Sequence, residues 1–308
     1  MVSQPNFNAN TVDEQWAELT SPENTKAQLV NRATQGLYSP GSTFKIVTAL
    51  EYLHENPDGM SQFHFDCDGL MEQGEYQIRC YHGESHGSQD LRMSFANSCN
   101  GAFSTMGLGL NLTQFNSLAS QLLFNSSLPL SLPYKESSFV MGEGADEWER
   151  LQTSIGQGKT QITPMHNLMI TAAIANGGTL MKPYLIDHVE NAGGQTVKKF
   201  LPEAYGTLMS SEDASILSGL MTQSLQTEQD PRFGALPIRR RERRDLLNLR
   251  QEKRRMPGLW ATHLWRTRKS QSACSWRRAG QAESRRDLWP EPLWTNILRK
   301  ILCSSGDG

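Results

Sequence analysis

Ser42 and Lys45 lie three residues apart at the predicted start of a helix, so their side chains share one helix face. A serine hydroxyl is a weak nucleophile at neutral pH, but an unprotonated lysine amine can accept its proton. The N-terminus of a helix also offers backbone N–H groups to a developing oxyanion. The pair therefore indicates acyl transfer, although the same spacing also fits a capped helix with a solvated lysine.

Ser98, Cys99 and Asn100 begin 53 residues after Lys45, where a helical pattern breaks. Alone, they could form a helix-breaking loop held by local bonds between side chains and backbone. Next to a Ser-x-x-Lys pair, however, Ser-x-Asn is typical of the second motif of serine acyl-transferases. The two motifs in this order favour an acyl-serine enzyme over two unrelated local features.

The elements that must position these residues are short and clearly bounded. Ser39, Pro40 and Gly41 predict a turn into a helix. Helices are predicted over residues 43–55, 91–97, from 102, over 112–123, from the Thr163 cap to the glycines at 177 and 178, and over 211–225. Hairpins are predicted about Gln73-Gly74 and, between residues 180–189 and 196–201, about Gly193-Gly194. Helices followed by strands predict an α+β fold.

Residues 32–45, Arg-Ala-Thr-Gln-Gly-Leu-Tyr-Ser-Pro-Gly-Ser-Thr-Phe-Lys, closely resemble the nucleophile region of penicillin-binding proteins. Residues 1–7 resemble the strand that enters that domain, residues 86–100 its second motif, and residues 154–164 the segment before a long helix. The resemblance covers residues 1–229 and implies a penicillin-binding/β-lactamase-like transpeptidase fold. This fold has a helical lobe and an antiparallel sheet flanked by helices, and we expect it to be truncated here at both ends.

The resemblance implies a class B-like peptidoglycan D,D-transpeptidase. Ser42 would be the nucleophile, Lys45 its general base, Ser98 a proton relay to the leaving amine, and Asn100 the residue that holds the peptide amide. Stem peptides ending in D-alanyl-D-alanine would be the donors, and β-lactams would mimic them. Neither a metal nor a cofactor is implied. The cell-wall synthesis machinery would be the partner of the parent protein.

The resemblance places this family at the extracytoplasmic face of the bacterial cytoplasmic membrane. The sequence itself shows no secretory signal pattern and no apolar run of the roughly 18 to 20 residues that a membrane span needs. Localisation is therefore expected from the resemblance alone.

The third motif of the family, Lys-Thr-Gly on a strand that lines the site, is absent. Lys159-Thr160-Gln161 precedes the Thr163 helix cap, so we interpret it as a polar loop. The predicted transpeptidase activity is therefore expected to be impaired in this chain. A catalytically dead penicillin- or peptide-binding module and a degraded gene product remain alternatives. A β-lactamase is a weaker one, because neither Glu143 nor Glu147 convincingly serves to activate a deacylating water.

A change in composition divides the chain near residue 230. Residues 1–230 hold 11 Lys plus Arg against 25 Asp plus Glu, whereas the final 78 residues hold 19 against 7. The final 78 residues also contain five of the seven Trp and sixteen of the twenty Arg. We therefore predict a partial transpeptidase domain over residues 1–229 and a non-homologous basic tail over residues 230–308.

The tail is better explained as an out-of-frame product than as a nucleic-acid-binding segment, although basic and aromatic residues interleave in it. The alternative frame joins the third base of each codon to the first two bases of the next codon. In this frame, residues 257–265 permit Trp-Phe-Val-Gly-Tyr-Ala-Pro-Val, which resembles a late strand of the family. In the same offset, residues 240–248 permit Ala-Gly-Lys-Thr-Gly-Ser-Ala-Glu, which contains the missing motif. We therefore expect no nucleic-acid partner and a poorly folded tail.

Cys67 and Cys80 flank the first predicted hairpin, whereas Cys99 lies in the second motif and Cys274 and Cys303 in the tail. A Cys67–Cys80 disulfide and two free thiols are both compatible with this spacing. The redox state of the compartment would decide between them.

Overall fold

The computed structural model describes Met1, residues 3–142 and residues 144–227, of which residues 225–227 are described by their backbone alone. These residues belong to one unit, Met1–Gln229. Glu143, the predicted domain boundary at residue 229 and the predicted tail over residues 230–308 lie outside the described residues. The division into two domains and the account of the tail therefore stay predictions.

Ten α-helices account for much of the described part of the chain. Their bounds are α1 Val12–Leu19, α2 Arg32–Gln35, α3 Lys45–Glu55, α4 Gly59–Gln62, α5 Leu91–Ala96, α6 Asn100–Gly109, α7 Leu112–Gln121, α8 Glu147–Ser154, α9 Pro164–Ala175 and α10 Ser211–Thr227. Short 3-10 helices cover Ala9–Thr11, Gly41–Phe44 and Tyr81–Gly83.

Side chains at the N-caps explain where several helices begin. The Asp90 carboxylate accepts a hydrogen bond of 2.8 Å from the Met93 N–H at the start of α5. The Thr163 hydroxyl accepts one of 3.2 Å from the His166 N–H, and Pro164 occupies the first helical position of α9. The predicted start of α9 at Thr163 is thereby confirmed.

The described strands form four antiparallel pairs, each a two-stranded sheet. The pairs are β1 His64–Cys67 with β4 Gly87–Asp90, β2 Leu70–Gln73 with β3 Tyr76–Arg79, β5 Thr179–Met181 with β8 Ala204–Thr207, and β6 His188–Glu190 with β7 Thr196–Lys199. The hairpins predicted about Gln73-Gly74 and Gly193-Gly194 are confirmed as β2–β3 and β6–β7, and so is the α+β class.

Three local predictions differ from the structure. The strand predicted over residues 180–189 is divided into two strands. Leu180 belongs to β5, which pairs with β8 and not with β7. Pro183 interrupts the chain before β6, because proline has no N–H to give to a ladder. The described residues among positions 1–7 form no strand. Helix α6 begins at Asn100, earlier than predicted, because the Cys99 sulfur caps the N–H of Ala102 at 3.5 Å.

The core is centred on α3 and on the aromatic side chain that precedes it. Phe44 is 1% exposed and stacks on Phe139 with 5.9 Å between ring centroids. The rings of Phe115 and Phe124 lie 6.1 Å and 5.9 Å from Phe44. Because Phe44 follows Ser42 by two residues, this aromatic cluster fixes the backbone of the predicted nucleophile.

Candidate active site

Ser42 lies in a short 3-10 helix that runs directly into α3. The preceding Gly41 has a φ of 58°, and its N–H donates to the Gly156 carbonyl at 2.8 Å. Tyr38 and Ile162 exchange two backbone hydrogen bonds of 3.1 Å and 2.8 Å nearby. The segment between α8 and α9 therefore holds the turn that presents Ser42.

Lys45 is the residue around which the predicted site assembles, and only 1% of its surface is exposed. Its Nζ lies 3.5 Å from Ser42 Oγ, 3.0 Å from Ser98 Oγ and 2.8 Å from Asn100 Oδ1. Nζ also donates to the Ser98 carbonyl at 2.5 Å and lies 5.5 Å from the centre of the Phe103 ring. The structure thus brings all four predicted site residues to one amine.

Burial lowers the pKa of Lys45 from its usual 10.5 to about 7. Taking a charged ammonium group out of water costs free energy, so desolvation favours the neutral amine. Negative charge on Cys99 and Cys80 acts in the opposite direction and to a smaller extent. A sizeable fraction of Lys45 is consequently neutral near pH 7 and has a lone pair that can accept a proton.

The second motif is a sharp break between α5 and α6. Ser98 has a φ of 50°, a left-handed conformation that is unfavourable for a residue with a side chain. The Asn100 amide donates to the Arg79 carbonyl at 2.8 Å, so its own carbonyl oxygen faces Lys45. The end of β3 therefore helps to orient the second motif, which the sequence did not indicate.

Buried hydroxyl and amide groups that the sequence analysis missed support the nucleophile turn. The Thr43 hydroxyl donates to the Pro40 carbonyl at 2.8 Å and accepts a hydrogen bond of 3.1 Å from the Asn167 amide. The Thr48 hydroxyl donates to the Ser154 carbonyl at 2.8 Å. Thr43 and Thr48 stand among apolar residues of a predicted buried helix, and this signal could have identified them as structural polar groups.

Lys159-Thr160-Gln161 lies between α8 and α9, as predicted. The Lys159 ammonium group is exposed and pairs with Glu149 at 3.1 Å, whereas the Thr160 hydroxyl is buried and accepts a hydrogen bond of 3.2 Å from the Val140 N–H. Glu147 is exposed in the first turn of α8. The other candidate for activating a deacylating water, Glu143, lies outside the described residues.

The α+β fold and the meeting of Ser-x-x-Lys with Ser-x-Asn at a buried amine are those of the penicillin-recognising serine acyl-transferases. A family model described as the penicillin binding protein transpeptidase domain matches residues 1–232. The chain belongs to this family.

Curated relatives are named as enzymes of peptidoglycan synthesis. The peptidoglycan D,D-transpeptidase PbpA of Mycolicibacterium smegmatis is 27% identical over 240 residues, which cover 74% of this chain and 48% of the relative. PbpA of Mycobacterium tuberculosis strain H37Rv is 28% identical, covering 77% and 50%. This chain therefore spans about half the length of the curated relatives it matches.

Solved structures that resemble this chain belong to the same kind of protein as these relatives. The crystal structure of PBPA from Mycobacterium tuberculosis matches with a TM-score of 0.65 and 27% identity, covering 74% of this chain and 55% of that chain. The imipenem acyl-enzyme complex of the same protein matches with a TM-score of 0.65 and 27% identity, covering 77% and 56%. The D,D-transpeptidase domain of a peptidoglycan glycosyltransferase from Eggerthella lenta also has a TM-score of 0.65 and 27% identity, covering 73% and 57%.

Proposed function

We propose that this chain carries the acylation site of a peptidoglycan D,D-transpeptidase, with Ser42 as the nucleophile. The observation that carries the proposal is the convergence of Ser42, Ser98 and Asn100 on the buried amine of Lys45. A solvated lysine beside a helix cap would be exposed and would have no reason to contact a second motif 53 residues away.

In the acylation step, Ser42 Oγ attacks the carbonyl carbon between the two D-alanines of a donor stem peptide. Neutral Lys45 takes the hydroxyl proton as the new C–O bond forms. The C–N bond then breaks, and a proton passes through Ser98 to the amine of the departing D-alanine. The Asn100 amide, oriented by the Arg79 carbonyl, holds the donor peptide.

In the second step, an acceptor amine attacks the ester carbonyl of acyl-Ser42. The amine loses a proton to the Lys45 and Ser98 pair as the new amide forms, and Ser42 leaves with a hydrogen restored to its oxygen. A β-lactam enters through the same first step, but its cleaved ring keeps the leaving nitrogen attached to the acyl group. The related mycobacterial structures include acyl-enzyme complexes with imipenem, ceftriaxone and penicillin G, which supports this assignment.

The chain as written lacks Lys-Thr-Gly, and we propose that its activity is impaired for that reason. The missing cation and hydroxyl would bind the substrate carboxylate. The same absence favours, as a second candidate, a catalytically dead module that binds cell-wall peptide or penicillin. A β-lactamase is less well supported, because Glu147 is exposed and contributes no described contact to the amine of Lys45.

We also propose that the parent protein works with the cell-wall synthesis machinery at the extracytoplasmic face of the cytoplasmic membrane. Support comes from the names of the relatives, which include MrdA and stage V sporulation protein D. None of the helices in the described part of the chain is long and apolar enough to cross a bilayer.

The test uses a frame-restored chain, defined as this chain with the coding sequence re-read so that Lys-Thr-Gly follows α10. A fluorescent penicillin should label the frame-restored chain covalently, and Ser42→Ala should abolish the label because the nucleophilic oxygen is gone. Ser39→Ala is the matched control in the same turn and should be labelled normally. Equal labelling of the Ser42→Ala variant would remove Ser42 as the nucleophile.

Hydrolysis of a chromogenic cephalosporin separates the remaining candidates. A transpeptidase should give one burst of product per enzyme followed by very slow turnover, because its acyl-enzyme persists. Rapid continued turnover would identify a β-lactamase. Reversible binding with no covalent product would identify a binding module.

A further inference from the structure

Three thiols and one imidazole meet directly behind the second motif. Cys67 ends β1, Cys80 follows β3, His86 precedes β4, and Cys99 lies between Ser98 and α6. One ligand atom from each of the four lies within 4.8 Å of all the others. The three cysteines are buried and the histidine is partly exposed.

Three distances within this cluster are close to the edges of a metal coordination tetrahedron. Zn–S bonds of about 2.3 Å and Zn–N bonds of about 2.05 Å place two sulfurs about 3.8 Å apart and a sulfur and a nitrogen about 3.6 Å apart. The Cys67–Cys80 and Cys80–Cys99 sulfurs are 3.7 Å and 3.8 Å apart, and Cys67 Sγ lies 3.4 Å from His86 Nδ1. A disulfide would instead bring two sulfurs to about 2.05 Å.

Backbone N–H groups hold two of the ligand segments in place. The Ala102 N–H donates to Cys99 Sγ at 3.5 Å. The His86 N–H donates to the Cys67 carbonyl at 3.1 Å and so fixes the two ligand segments together. Such backbone donors orient and stabilise thiolate ligands in metal sites.

We propose that Cys67, Cys80, His86 and Cys99 form a structural zinc site. Four soft or borderline ligands in a closed tetrahedral set suit Zn²⁺ better than Mg²⁺ or Ca²⁺, which prefer oxygen. Binding displaces the thiol protons, so affinity falls as the pH is lowered. This inference departs from the sequence-based expectation of no metal and uses none of the atoms assigned to the acylation chemistry.

The site has a direct structural consequence for the second motif. Cys99 stands between Ser98 and Asn100, so a metal held by Cys99 would tie that loop to the ends of β1 and β3. The left-handed backbone of Ser98 needs such support. This consequence rests on the proposed function, whereas zinc binding itself does not depend on acylation.

The first experiment measures metal in the 308-residue chain, purified with a reductant and desalted. Mass spectrometry of the elements should find about one zinc per chain, because a single four-ligand site is present in the described residues. Replacement by Co²⁺ should give a thiolate charge-transfer band and the strong visible bands of tetrahedral cobalt. A reduced chain without zinc, or a six-coordinate cobalt spectrum, would overturn the proposal.

Replacing the proposed ligands one at a time tests which residues bind the zinc. Cys99→Ser and His86→Gln should each weaken zinc affinity by about 100-fold or more in competition with a chelating dye. His82→Gln, an exposed histidine nearby, and the double replacement Cys274→Ser with Cys303→Ser should retain the metal. If Cys99→Ser fails to fold by circular dichroism, His86→Gln decides, since its side chain is partly exposed. Full zinc retention in His86→Gln, or loss on replacing the tail cysteines, would place the metal elsewhere.

Discussion

At the residue scale, the site depends on how Lys45 is buried. A lysine in water is protonated at pH 7 and cannot accept a proton from serine. Burial lowers the pKa of Lys45 to about 7, so the neutral amine is available without a histidine.

The sequence predicted which four residues meet, because the motifs are short and their order is informative. It could not predict the Arg79 carbonyl as the partner of Asn100, because only the tertiary fold brings the end of β3 close to that side chain.

The pKa of Lys45 leads to a prediction about pH. Only the neutral amine accepts the Ser42 proton, so the acylation rate constant of the frame-restored chain should rise about tenfold per pH unit below 7 and level off above it. Stopped-flow measurement with a fluorescent penicillin tests this. Lys45→Arg, which keeps a positive charge at every accessible pH, should be slow and show no such rise. A flat profile for the unmodified site between pH 5 and 9 would contradict the assignment of Lys45 as base.

At the element scale, the nucleophile turn is held by a close approach of two backbone segments. Gly156 has a φ of 73°, and a Cβ built on it would lie 2.0 Å from the Gly41 carbonyl oxygen. The sequence predicted the turn and the starts of α5, α7, α9 and α10, because proline, glycine and capping residues act locally; it did not predict α1, α2, α4 or α8. The pairing of β5 with β8 and the assembly of cysteines from four segments depend on the tertiary fold, so periodicity and capping alone could not predict them.

Because of this close approach, alanine should destabilise the protein more at Gly156 than at Gly194. Gly156→Ala should lower the free energy of unfolding by more than about 2 kcal/mol, because both the left-handed backbone and the clash oppose it. Gly194→Ala is the matched control, since its φ is 75° and a Cβ there meets nothing within 4 Å. It should cost about 1 kcal/mol. Urea unfolding followed by circular dichroism measures both, and equal losses would show that the two segments are not in close contact.

At the scale of the whole molecule, the described residues hold two of the three motifs expected of this family. The third is absent from the sequence, and we predict that the coding DNA of residues 240–248 contains it in another reading frame. Apolar side chains such as Leu185, Val197 and Leu201 are 69%, 68% and 72% exposed around the β6–β7 hairpin. Composition could indicate the change near residue 230, whereas only the nucleotide sequence can show what caused it.

An out-of-frame tail predicts that two forms of the protein differ in their rate of acylation. The chain as written should be acylated by penicillin at least about 100-fold more slowly than the frame-restored chain, because the groups that hold the substrate carboxylate are missing. Labelling kinetics of the two proteins, purified in parallel, measure this ratio. Rapid, stoichiometric labelling of the 308-residue chain would mean that its own tail completes the site.

The central claim is that Ser42 forms the acyl-enzyme, and peptide mapping by mass spectrometry tests it most directly. The frame-restored chain is treated with penicillin G, digested with trypsin, and the peptide spanning residues 33–45 is fragmented. We predict a penicilloyl group on Ser42 and none on Ser39 or Thr43 of the same peptide. A penicilloyl group on another residue, or an unmodified peptide from fully labelled protein, would contradict the account.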